Sequence, residues 1–291
     1  MGRISVGVNV NGRSYPMVLD LDHERLTERA ILQHLAVGQF YEPDVSAVIL
    51  RIAAPGDVVV DVGANIGFFS LLMGLLVGSE GRVVGFEPGD NNILRLNANI
   101  GLTQLENFVL VDKPASGAAG EILFYLNADN SGGNALWDPG EFPGNNQSKQ
   151  HPEIVTLQAT TIDAEITRLG LPTPKLIKVD AEGAEHHVLQ GARALLQGCK
   201  VPYIIAELHE FGLAKMGSSQ MELRRFMKDF GYDTFAIYNS GCLPKLIPPE
   251  TRVGSPHIMN VLFSTPENVG RLWNFDWFDP SVSPTPPRSS S

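Results

Sequence analysis

Cysteine is nearly absent: Cys199 and Cys242 are the only two in 291 residues. Two thiols so far apart build neither a disulfide framework nor a zinc-ligand pattern, and they read as unpaired thiols of a reducing compartment. Basic runs are missing too. Lys and Arg number 22 against 32 Asp and Glu, a formal net charge of -10, so a grip on nucleic-acid phosphates has no basis. No apolar stretch reaches the roughly 20 residues that cross a bilayer, and the longest, Gly67 to Val77, reads as a buried helix. The opening "MGRISVGVNVNGRSYP" has no apolar core behind Arg3, which speaks against secretion. Its Met-Gly start lacks Ser or Thr at the sixth position, which speaks against myristoylation. The expectation is a cytoplasmic chain with no nucleic-acid or membrane partner; a homo-oligomer stays open.

Hydrophobic residues make up 43% and charged residues 19%, enough apolar material for a large core. "ISVGVNV" and "RSYPMVLDL" alternate apolar and polar around Asn11-Gly12, a hairpin signal. Helical patterns follow at Thr27 to Val37, with Thr27 a candidate N-cap, and at Pro43 to Ile52. Residues 1–55 are therefore expected to be an accessory segment packed on a main domain, 56–270. The tail from 271 to 291, ending "PTPPRSSS", is expected to be flexible.

From Asp57 the rhythm changes. "VVVDVG", "RVVGFEP", "FVLVD", "KLIKVDAEG" and "YIIAELHE" are short, nearly continuous apolar runs, as strands buried on both faces of a parallel sheet require. Helical patterns separate them: Gly67 to Val77, Asn91 to Ile100, Glu185 to Leu196 and Gln220 to Phe230. That alternation predicts a doubly wound α/β sheet. "YDTFAIYN" and "HIMNVLFST" lie close in sequence with no helix between, and predict an antiparallel pair at a sheet edge. Ala128 to Pro152 is a long loop rich in Gly, Asn and Pro, expected to act as a lid. Its Trp137 and Phe142 could stack on a ligand or anchor the loop. No internal repeats occur.

Ligands of an open parallel sheet bind outside the carboxyl ends of its strands. There the first run ends in Asp61 and turns through Gly63, Ala64, Asn65, Ile66 and Gly67. A dinucleotide turn would read G-x-G-x-x-G; here the middle glycine is replaced and the last comes early. Asp61 would repel a pyrophosphate but favour a cation. The next run ends in Glu87, whose carboxylate can accept hydrogen bonds from both hydroxyls of a ribose. A positive sulfonium and an unphosphorylated ribose fit this pattern, so S-adenosylmethionine suits it better than NAD.

A second acidic group gathers at the ends of two further runs: Lys178, Asp180, Glu182 and Glu185, then Glu207, His209 and Glu210. These residues could act as a general base, hold a divalent metal, or hydrogen-bond a polar acceptor. Glu185 also suits the first turn of a helix, where an acid complements the dipole. His209 could deprotonate a hydroxyl near neutral pH.

"VVVDVGANIGFFS", "VVGFEPGDNNILRLNANI" and "LIKVDAEGAEHHVLQGA" resemble, in order, the signature blocks of the FkbM family of methyltransferases, over roughly Asp57 to Glu210. The resemblance implies a class I, Rossmann-like methyltransferase fold: a mostly parallel seven-stranded sheet, helices on both faces and an antiparallel last strand. It implies methyl transfer from S-adenosylmethionine, with S-adenosylhomocysteine as product, to a hydroxyl of a small sugar, polyketide or other secondary metabolite. Asp61, Gly63, Asn65 and Gly67 would meet the methionine part of the cofactor, Glu87 its ribose, and Asp112 and Lys113 its adenine. Asp180 and Glu182 would fall near the transferring methyl; with His209, read above as a base, they are the catalytic candidates, and metal use stays undecided. Pro114 departs from the family pattern, which often has a small residue there. A nicotinamide-dependent oxidoreductase and a non-catalytic binding protein on the same fold are the competing readings.

Overall fold

The computed structural model describes residues 2–151, 153–239, 241–254 and 258–273. The chain opens with a hairpin, β1 (Gly2–Val10) and β2 (Arg13–Leu21), paired antiparallel across Asn11-Gly12. Helices α1 (Leu26–Ala36) and α2 (Pro43–Ile52) follow. Thr27 does not cap α1: the N-cap is Arg25, and the Thr27 hydroxyl instead donates to Asn130 Oδ1 at 2.9 Å.

Strand and helix then alternate through β3 (Val58–Val62), α3 (Phe68–Val77), β4 (Arg82–Phe86), α4 (Asp90–Thr103) and β5 (Phe108–Val111). An excursion comes next: β6 (Gly120–Leu126), the short helix α5 (Asn146–Gln150) and β7 (Glu153–Ala159). The chain returns through α6 (Ile162–Arg168), β8 (Leu176–Val179), α7 (Glu185–Gln190), α8 (Arg193–Leu196) and β9 (Tyr203–Leu208). It closes with α9 (Glu210–Lys215), α10 (Gln220–Asp229), β10 (Asp233–Ala236), β11 (Lys245–Ile247), β12 (Met259–Ser264) and α11 (Pro266–Trp273). Of the tail expected to be flexible from 271, residues 271–273 instead close α11, and the rest lies outside the described residues.

The central sheet has the order β11-β10-β12-β9-β8-β3-β4-β5. Its five strands from β9 to β5 run parallel, while β12 lies antiparallel between β9 and β10. This is the expected mostly parallel sheet with an antiparallel last strand, widened to eight by the three-residue edge strand β11. The β10–β12 pair is antiparallel as expected, but β12 sits inside the sheet, covered on its other side by β9.

Alternation along each strand feeds two cores. Val59, Val83, Leu176 and Ile205 pack with α2, α3 and the hairpin residues Met17, Leu19 and Leu21. Val60, Val84, Ile177 and Ile204 face the other way, onto Ile162, Val188, Leu196, Leu223 and Met227. Both faces being covered explains why the strands read as unbroken apolar runs. The helix expected over Glu185 to Leu196 breaks in two at Gly191, whose backbone lies so close to Ser116 that a Cβ would meet that carbonyl oxygen at 2.1 Å. Among the described residues no helix is long and apolar enough to cross a membrane.

The N-terminal hairpin is stitched to the sheet domain by side chains of α4. Asn99 Oδ1 accepts from the Asp20 N–H at 2.8 Å while its Nδ2 donates to the Ile66 carbonyl at 2.9 Å. Arg95 donates to the Asp20 carbonyl and to the buried Glu28 carboxylate. Asn99 is 1% exposed, so Asn99→Ala strands two polar backbone groups away from water. It is expected to lower unfolding free energy by about 1–3 kcal/mol, measured by urea denaturation; an unchanged midpoint would show that the stitch contributes nothing.

Candidate active site

Two glycine turns meet at the carboxyl ends of β3 and β8. After β3 the chain turns through Gly63 (φ 78°) and Asn65 (φ 50°). After β8 it turns through Asp180, Glu182 (φ 51°) and Gly183 (φ 99°). The turns touch: a Cβ on Gly63 would meet the Asp180 carbonyl oxygen at 1.9 Å, so only glycine fits there. Six non-glycine residues among those described have positive φ, and three of them, Glu42, Asn65 and Glu182, line one cavity. Backbone held in this region is costly for a glutamate and clusters at functional sites.

Each turn is tied by a buried glutamate. Glu87 Oε2 accepts from the Asn65 N–H at 2.8 Å, and its Oε1 from the Gly89 N–H at 2.9 Å and the Asn92 amide at 3.3 Å. Glu185 Oε1 accepts from the N–H groups of Ala181 and Gly183, both at 3.0 Å. Glu185 thus holds the second turn, a more specific task than complementing a helix dipole. Burial raises both carboxyls to about 7, against these hydrogen bonds.

Beneath the turns lies an ion cluster. Lys178, 2% exposed, sends Nζ to Asp180 Oδ2 at 3.1 Å and Asp61 Oδ1 at 3.7 Å, over the ring of Phe69. Burial opposes its charge, yet Asp180, Asp61 and Glu42 hold its pKa above the ordinary lysine value. Asp61 also accepts from the Ser70 hydroxyl at 2.6 Å.

Two cavities open on this junction. The first encloses about 620 Å³, mouth included, and is walled by Gly63, Asn65, Phe86, Glu87, Asn92, Pro114, Leu136, Asp180 and Glu182. The second, about 1270 Å³ with its mouth, adds Tyr41, Glu42, Lys178, Glu207 and Asn260. Gly63, Asn65, Gly132, Asp180 and Glu182 belong to both. A slot and a chamber therefore share one wall, made of the two turns and a residue of the long excursion.

Of the residues singled out from sequence, Gly63, Asn65, Glu87, Asp180 and Glu182 converge here. Asp61 lines neither cavity; it is fully buried beneath them. Gly67 lines neither, and its backbone packs on Leu96. Asp112 and Lys113 are exposed, and it is the next two residues, Pro114 and Ala115, that wall the slot. His209 stands behind the wall, 6% exposed, with Nδ1 3.5 Å from Glu182 Oε2. Burial lowers its pKa, against the pull of Asp180. Burial, then the charge of Asp180, holds Glu182 well above the carboxylate range, and Glu207 likewise.

Sequence reading missed Tyr41 and Glu42, which carry no motif, and Asn92, whose position in the first turn after "GFEPG" was a usable signal. The long excursion is not a bare loop: it is carried on the β6–β7 hairpin. Trp137 anchors it, donating Nε1–H to the Glu182 carbonyl at 2.6 Å, and both Trp137 and Phe142 pack edge-on against Phe211 and His209. Neither ring lines either of these two cavities.

A family model described as the methyltransferase FkbM domain matches residues 61–234. Hexuronic acid methyltransferase AglP of Haloferax volcanii is 28% identical over 169 residues, which are 58% of this chain and 62% of that protein. AMB antimetabolite synthetase AmbE of Pseudomonas aeruginosa is 29% identical over 208 residues, covering 62% of this chain and 9% of that protein. The chain thus spans less than two thirds of either relative. The crystal structure of methyltransferase FkbM from Methylobacillus flagellatus superposes with a TM-score of 0.44 at 14% identity, over 81% of this chain and 59% of that one.

The buried acids give stability an unusual pH dependence. Glu42, Glu87 and Glu185 are raised from 4.5 to about 7 by burial. An acid raised in the folded state stabilises it fully below the unfolded pKa, and that contribution is lost as pH climbs through 7. His186, His187 and His209, lowered by burial from 6.5, act oppositely but only below that value. The melting temperature is therefore expected to fall between about pH 5 and 7.5, most steeply above 6.5 where the histidines no longer oppose it, and Glu185→Gln should flatten the decline. Scanning fluorimetry across this window checks it; a flat or rising wild-type profile would contradict the assignment.

Proposed function

The chain belongs to the FkbM methyltransferase family, and from that premise we propose that it transfers a methyl group from S-adenosylmethionine to a hydroxyl of a small sugar, polyketide or similar metabolite. One observation carries the reading: a slot containing Glu87 and a larger chamber meet at a shared wall of Gly63, Asn65, Asp180 and Glu182. A group transfer needs two compartments with the transferred atom passing between them, and most of its rate can come from alignment at that contact.

The slot suits the donor. Glu87 Oε1 already accepts two hydrogen bonds, and Oε2, which accepts one, keeps a lone pair for a ribose hydroxyl. Asn65 Oδ1 and Asn92 Oδ1 are buried acceptors with no partner of their own, ready for ribose or amino N–H and O–H groups. Phe86, Pro114 and Leu136 give apolar walls for an adenine. When bound, S-adenosylmethionine supplies a methyl carbon activated by its sulfonium; the C–S pair stays on sulfur as the acceptor oxygen forms the new C–O bond.

The chamber suits a hydroxylated acceptor. Glu42, Asp180, Glu182 and Glu207 line it, so a free carboxylate is repelled and hydroxyl donors are welcomed. Asp180 lies at the junction beside Glu182 and receives the hydroxyl proton, which leaves to solvent through the chamber. His209, whose pKa burial lowers, backs Glu182 with Nδ1 3.5 Å from its Oε2 and sets where that side chain stands at the junction.

Calorimetric titration with S-adenosylhomocysteine, with NAD(H) in parallel, tests the donor. Saturable binding of the first alone is expected; binding of NAD(H) alone, or of neither, would sink the reading. Glu87→Gln keeps an acceptor oxygen for the turn and is expected to weaken binding by roughly 10- to 100-fold, the worth of a charge-assisted hydrogen bond.

A further inference from the structure

The chamber's acids outnumber its cations. Among the described residues Lys178 is the one lysine on its wall, and it is committed to Asp61 and Asp180. Glu207, at the end of β9, and His209, at the N-cap of α9, sit beside Glu182 with no lysine or arginine ion-paired to any of the three among the described residues. One ligand-type atom from each of Glu182, Glu207 and His209 lies within 4.8 Å of the other two.

Two of these side chains are more than nine-tenths buried, Glu207 at 8% exposure and His209 at 6%. Even so, Glu207 Oε2 and both ring nitrogens of His209 make no hydrogen bond. The 3.5 Å approach of His209 Nδ1 to Glu182 Oε2 is an ion-pair distance only. A buried polar atom left unpartnered costs about 1–3 kcal/mol, so several such atoms turned to one point favour a ligand that takes lone pairs from all of them. The donor set is two carboxylates and an imidazole. All-oxygen cages suit calcium and thiolates suit softer ions, whereas a mixed oxygen and nitrogen set suits first-row divalent metals.

We propose that Glu182, Glu207 and His209 bind a divalent first-row cation of the Mn²⁺ class on the chamber side of the junction. Only its role rests on the methyl-transfer reading: a cation at Glu182 would gather hydroxyl oxygens of the acceptor and acidify the one that reacts. Asp180, held by Lys178 outside the ligand set, remains to receive the proton. Trp137 and Phe142, edge-on to His209 at 6.2 and 5.9 Å, fix the plane of the ring and exclude water from it.

Chelator-treated protein is titrated with MnCl2, free Mn²⁺ being read by electron paramagnetic resonance with no cofactor or acceptor present. One Mn²⁺ per chain is expected. Glu207→Gln and His209→Gln should each weaken it by more than the roughly 10- to 100-fold lost with an outer-shell partner, while S-adenosylhomocysteine still binds both. Glu210→Gln, next in sequence but engaged with Arg252 and Gln220, should leave Mn²⁺ binding unchanged. Absence of saturable Mn²⁺ binding, or equal affinity in the Glu207 and His209 variants, overturns the site. Stoichiometric Mn²⁺ binding by a wild-type protein that ignores S-adenosylhomocysteine would keep the site and overturn the methyl-transfer reading.

Discussion

The ion cluster around Lys178 is the constraint on which the site depends. Lys178 and Asp61 are register partners on the adjacent parallel strands β8 and β3, so their pairing is fixed by the sheet itself. A charge buried this deeply persists only if it is paired, and losing one partner would leave the other stranded. The two glycine turns begin within two residues of these side chains. The cluster therefore sets how the turns lie against each other, and the contact of Gly63 with the Asp180 carbonyl shows how little slack remains. With its lysine spent on Asp61 and Asp180, the rest of the chamber keeps a surplus of acid.

The sheet was legible because its strands are covered on both faces and read as continuous apolar runs. Glu87 was legible because a strand end followed by Gly-rich turn chemistry has few other uses. Asp61 was misplaced for a reason the alternation of β3 contains: it shares a face with Val59, which points into the core beside α3, whereas Val60 and Val62 share the other. The β6–β7 hairpin went unseen because its strands are joined by far more than a hairpin turn. Tyr41 and Glu42 could not be found from motifs; they reach the site through the docking of α2, a tertiary fact.

The long excursion closes the junction from outside. Asn92 donates to the Ser131 carbonyl, Thr27 to Asn130, and Trp137 to the Glu182 carbonyl. Three contacts thus tie it to α4, α1 and the second turn, each reaching a different wall of the site. An element held at three points of a crevice orders it, and Ser131, Gly132, Asn134, Ala135 and Leu136 of the excursion also help wall the slot.

The docking of α1 and α2 has a further consequence. The slot holding Glu87 is built within the stretch that matches the family, 61–234, while Thr27, Ile31, Tyr41 and Glu42 on the chamber wall lie ahead of it. Heritable changes in that leading stretch can remodel what the chamber admits while the turns, the lysine and the slot stay untouched.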